Sequence, residues 1–145
     1  MRGIYRPRSR RGAIVAALTA VITGLSVTTA SAEDSLWDSY IFEGPVGFKS
    51  RTWSDEKYSE VIFRNCSGPS APYNVKVQMH RYRAAWPDDD YDTKTFTKCF
   101  DGYMAQSYGE WNDLPDGRYY FELAGIGGSS KVNVEVVFVD NTAAD

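Results

Sequence analysis

Four carboxylates, Asp88, Asp89, Asp90 and Asp92, stand beside Trp86 and Tyr91 in the stretch "WPDDDYD". Alternating acids can converge on a calcium ion, which takes six to eight oxygen ligands, and Asp88, Asp90 and Asp92 have that spacing. The match then breaks. Thr93 stands where a calcium loop needs the glycine of its sharp turn, and Thr97 and Lys98 occupy the region of the closing glutamate. These departures favour a negatively charged contact surface, or a plain hydrated tip, over calcium. No other cofactor is implied.

Catalysis needs a different set. A Ser-His-Asp or Cys-His arrangement requires a histidine base beside its nucleophile. The single histidine, His80, lies in "YNVKVQMHRYR", where alternation turns it outward with Gln78 and Tyr82 as neighbours. An ordinary exposed histidine is expected there. The sequence also holds no glycine-rich phosphate loop, no His-Glu helix motif and no paired-thiol motif. No catalytic residues are expected, and no enzyme.

The aromatic residues are the other chemical resource. Four tryptophans accompany ten tyrosines and seven phenylalanines, more than a plain core requires in the loops. Trp37, Trp86 and Trp111 fall in tail or loop stretches. Exposed Trp and Tyr beside carboxylates make rigid contact surfaces. The expected binding surface is therefore Trp37, Trp86, Asp88, Asp89, Asp90, Tyr91, Asp92 and Trp111, and the expected partner a secreted or cell-surface protein. Sugar sites also combine aromatic faces with acids, which makes a lectin-like module the alternative. Inhibition of a secreted hydrolase through "AAWPDDDY" is a second protein-binding version.

The elements that must carry these residues read as strands. In "YNVKVQMHRYR", Tyr73, Val75, Val77 and Met79 share one face, against Asn74, Lys76, Gln78 and His80. "KVNVEVVFV" puts Val132, Val134, Val136 and Phe138 inward, and "RYYFELA" aligns Tyr119, Phe121 and Leu123. Weaker strands are expected in "SYIFE", "FKSRTW", "YSEVIFRN", "KTFTKCF" and "YMAQSY", with "GPVG" as a turn and Asp101-Gly102 as a hairpin signal. The sum is an all-β, antiparallel sandwich (jelly-roll or Ig-like) of about seven or eight strands.

Residues 1–32 are expected to be a secretory signal peptide. Arg2, Arg6, Arg8, Arg10 and Arg11 precede an apolar run from Ala13 to about Val27, and Ala30-Ser31-Ala32 gives a cleavage pattern. Residues 33–145 would then form one domain, with 33–38 as a flexible tail, in an extracellular setting. Eleven basic residues face nineteen acidic ones after position 32, a balance that repels nucleic acid and anionic lipid. Neither is expected as a partner, nor is membrane insertion. Cys66 and Cys99, the only cysteines, should pair in an oxidising compartment. "NCS" at 65–67 has the form of a glycosylation acceptor but reads as an accident beside that bridge.

One stretch carries a likeness. "WNDLPDGRYYFELAG" followed by "SSKVNVEVVFV" resembles the last hairpin of the pre-peptidase C-terminal-like β-sandwich modules of secreted bacterial proteins. The resemblance covers about 30 residues and implies a sandwich that binds or assists without catalysing. The overall layout, with export signal, single bridge and Trp-bearing tail, is loosely similar to the small adaptor of bacterial umbrella toxin particles. That likeness would imply a tail that plugs a partner's cleft within a toxin assembly.

Overall fold

The computed structural model describes residues 37–142, so the expected signal peptide and residues 33–36 of the expected tail lie outside the described residues. Six strands form one antiparallel sheet: β1 (Trp37–Pro45), β2 (Trp53–Ser67), β3 (Asn74–Tyr82), β4 (Asp89–Phe96), β5 (Gln106–Gly127) and β6 (Lys131–Asp140). Their order across the sheet is β1-β6-β2-β5-β3-β4. A single 3-10 turn, Lys98–Phe100, follows β4. All-β, antiparallel architecture with a Cys66–Cys99 disulfide is thus established. Among the described residues no helix is long and apolar enough to cross a membrane.

Among the described residues the strand count is six, not seven or eight, for identifiable reasons. Gln106 to Tyr108 of "YMAQSY" and all of "GEWNDLPDGRYYFELAG" belong to a single strand, β5, 22 residues long, whereas Tyr103 to Ala105 lie in the turn before it. The Pro-Asp-Gly signal within it marks a bulge where Asp113 takes φ 56° and the register against β2 shifts. "FKSRTW" divides: Lys49 bridges to Glu122 on β5, while Trp53 opens β2. Asp101-Gly102 does not close a hairpin, because β4 pairs only with β3. Nor do β5 and β6 pair with each other, since β2 lies between them.

β5 explains how one sheet encloses a core. Residues 106–119 pair with β2, and residues 118–127 pair with β3. In a flat sheet β2 and β4, three strands apart, would lie roughly 14 Å from each other. Yet Phe63 on β2 meets Phe96 on β4 with ring centroids 5.0 Å apart, and Phe121 at 5.5 Å. The sheet therefore doubles over, with β5 running through both layers. Gly109 shows the closeness: a Cβ there would sit 2.9 Å from both Lys94 and Phe96.

Alternation places the core as the sequence implies in β3, where Val75, Val77 and Met79 are fully buried. Tyr73 is not among them and stands exposed just before the strand. In β6 the pattern slips. Val132 and Val134 are buried, but so are Val137 and Val139, in place of Val136 and Phe138. β2 slips at the same level, from Phe63 to Cys66, and β1 from Ile41 to Gly44. Asn65 and Glu43 make this feasible by adopting φ 53° and 49°, a region that β-branched residues avoid.

Candidate functional site

The acidic segment is a strand and not a loop tip. Asp89, Asp90, Tyr91 and Asp92 open β4, and Asp88 immediately precedes it. Their carboxylates part company. Asp88 accepts from the Tyr120 hydroxyl (2.6 Å) and the Arg83 amide (2.9 Å), bonds that hold its carboxyl below the usual range. Asp89 takes the Arg81 and Arg83 guanidiniums, Asp90 meets His80 Nδ1 at 2.8 Å, and Asp92 pairs with Lys94. Asp88, Asp90 and Asp92 are drawn to three different partners instead of one ion. Among the described residues no group of three or more His, Cys, Asp or Glu is placed to hold a metal.

His80 does point outward, but it is only 7% exposed. Sequence neighbours mislead here, because what covers the ring comes from adjacent strands. Tyr120 stacks on it at 5.0 Å with the planes 14° apart, and Asp90 holds Nδ1. Nε2 is buried without a hydrogen bond, 3.8 Å from Glu122. Burial, and then the bond to Asp88, push the Tyr120 hydroxyl well above the ordinary tyrosine range.

The three tryptophans separate. Trp111 is 3% exposed on β5, its indole donating to the Asp92 carbonyl at 2.9 Å. It is a scaffold residue that closes the doubled sheet, not a loop contact. Trp37 belongs to β1, half-buried against Trp53 at 5.9 Å and under the Arg51 guanidinium at 4.0 Å, so it is no free tail hook. Tyr91 packs beside Tyr119 at 6.0 Å. Of the expected aromatic contacts only Trp86 stands clear, 73% exposed.

The exposed aromatics that gather in one place were not foreseen. Tyr40 and Phe42 on β1 are 72% and 74% exposed, and Tyr103 after the 3-10 turn is 88% exposed. They border an open groove of about 650 Å³ that crosses β1, β6 and β2. Its floor carries Asn133 and Glu135 of β6 and Asn65 of β2, and it ends at the disulfide and Phe100. Asn65 donates to Glu135 at 2.5 Å and accepts from the Met104 amide at 2.6 Å, tying strand to loop. The groove lies where all three strands slip phase, so the kinks that break alternation also hollow the face. The sequence signal was an Asn and a Glu inside alternating strands, a signal that alternation alone treats as ordinary outward positions.

No family model, curated protein or solved structure matches this chain. Its reading therefore rests on the geometry. A second, smaller hollow of about 120 Å³ lies on the other side of β1, between that strand and residues 48–51. Tyr40 and Ile41 line both hollows.

Proposed function

We propose that this chain is a secreted, non-catalytic recognition module that binds a partner protein through the aromatic groove of β1, β6 and β2. The observation that carries the reading is the convergence of Tyr40, Phe42 and Tyr103 on that groove. Exposed large aromatics are costly in water, and aromatic clusters around a concavity are the substance of binding hot spots. The acidic balance of the chain suits a partner segment bearing basic residues. His80 supports the non-catalytic part, since one ring nitrogen is occupied by Asp90 and the other is sealed from solvent. An adaptor role in a toxin assembly is what the likeness of layout adds to this proposal.

A saccharide is the second reading, favoured by the amide and carboxylate of Asn133 and Glu135 lying between aromatic side chains. The test is a pull-down from secreted proteins of the producing cell, using Phe42→Ser and Tyr103→Ser, with Trp86→Ala as the comparison. Both groove variants should lose the partner and keep the wild-type melting temperature. Undiminished recovery by both would sink the proposal. Retention on a glycan array, reversed by free sugar and lost in the same variants, would transfer the groove to the saccharide reading.

A further inference from the structure

Of the side chains that line the aromatic groove, only Glu135 is ionisable to a full charge near neutrality. It is exposed on the outward face of β6 and lacks a counter-ion. The nearby cations are engaged elsewhere: Lys131 pairs with Glu43 at 3.0 Å, and Arg64 lies over the Phe138 ring at 5.2 Å. Among the described residues the partner of Glu135 is the neutral side-chain amide of Asn65, which donates to Oε2. By contrast, Asp89 has Arg81 and Arg83, and Asp92 has Lys94. The Asn65 side chain is anchored at its other end by the Met104 amide, so the carboxylate of Glu135 is oriented on the groove floor. A carboxylate has about four lone-pair positions, and the Asn65 bond uses one of them.

Aromatic faces around an oriented, unneutralised carboxylate select one kind of occupant. An anion would be repelled, and an apolar side chain would cover the carboxylate without pairing it. A cation is drawn to the carboxylate and to the ring faces alike. Guanidinium suits the site better than ammonium, because its planar fork can bond a carboxylate while its face lies on a ring, and it sheds water more readily. The chain uses the same stacking internally, with Arg51 over Trp37 and Arg118 over Tyr82. Resting on the protein-binding reading above, we infer that the groove takes an arginine side chain of the partner. Its guanidinium pairs with Glu135 and lies against the aromatic rim of Tyr40, Phe42 and Tyr103. Glu135 is then the residue that sets the specificity of the groove.

The probe is N-acetyl-arginine methylamide, titrated into ¹⁵N-labelled protein at low ionic strength. It should move the side-chain amide resonances of Asn65 and leave those of Asn74, on β3, in place. The citrulline analogue has nearly the same shape without the charge and should bind at least about fivefold more weakly. The lysine analogue should fall between the two. Glu135→Gln keeps an acceptor for Asn65, so its melting temperature should match wild type while its affinity for the arginine probe drops at least about fivefold. A silent Asn65 amide at the highest probe concentration would overturn the inference, as would equal binding of the citrulline analogue. Equal binding of the lysine analogue would overturn the assignment to arginine. These comparisons use the wild-type protein and hold even where Glu135→Gln does not fold. Pull-downs separate this inference from the reading beneath it. If Glu135→Gln keeps the partner while Phe42→Ser and Tyr103→Ser lose it, the arginine inference fails and the groove reading stands. If the arginine probe binds through Glu135 but both groove variants keep the partner, the groove reading fails and the cation site stands.

Discussion

Replacing Glu60 by glutamine should stabilise the protein, and by an amount that depends on pH. Glu60 lies on β2 directly opposite Glu110 of β5 on one side and Asp140 of β6 on the other. Three carboxylates thus form a row across adjacent strands. Burial comes first in lifting the Glu60 carboxyl above its ordinary range, with Glu110 and Asp140 adding to it, while the bond from the Tyr58 hydroxyl at 2.9 Å opposes the rise. Directly opposed like charges cost about 0.2–1 kcal/mol per pair. With two pairs on a surface that remains largely open to solvent, screening leaves a gain of about 0.5 kcal/mol for Glu60→Gln at neutral pH. The glutamine carbonyl can still accept from Tyr58.

The sign follows from the raised folded value. The folded protein holds the Glu60 proton more tightly than the unfolded chain does, so the stabilising contribution is complete below the ordinary glutamate range. It is lost as pH rises through the raised folded value. Wild type and Glu60→Gln should therefore unfold at the same urea concentration at acid pH. They should separate by about 0.3 M at neutral pH, given ordinary denaturant slopes. A midpoint difference independent of pH, or a variant less stable than wild type at neutral pH, would refute the carboxylate row.

Two further outcomes test the scaffold. Trp111→Phe should cost about 2 kcal/mol, from the lost bond to the Asp92 carbonyl and the void left by the smaller ring, read from urea unfolding. Partner recovery per folded molecule should not change, and a selective loss of binding would return Trp111 to the contact surface. Replacing Cys66 and Cys99 together by serine should cost about 3–4 kcal/mol, since the bridge closes a separation of 33 residues, and reductant should reproduce that loss in wild type.

Much of this was legible in the residues. Period-two alternation identified β3 and its buried Val75, Val77 and Met79, and the two cysteines announced their bond. What alternation cannot convey is which strands become neighbours. His80 looked exposed because Tyr120 and Asp90, forty and ten residues away in the chain, are the groups that cover it. Trp111 looked like a loop residue because Asn112 to Gly117 reads as a turn, whereas bulges absorb those residues within a continuing strand. The groove was hidden for a related reason. Its aromatics converge only because β1, β6 and β2 slip phase together, and a slip of one residue is weakly written where Asn and Glu occupy it.

The pairing of β1 with β6 also fixes an order of events during synthesis. β1 is the first described strand made, and its only sheet partner is β6, the last. β2 must wait for β5 and β6, and of all the pairings only β3 with β4 is local. Such topologies form in milliseconds to seconds, because distant segments must meet before any burial rewards them. Through that interval the Trp37–Pro45 strand, with Tyr40 and Phe42, has both edges open to other chains. The segment proposed to hold a partner is thus the one most in need of protection while the protein is being made.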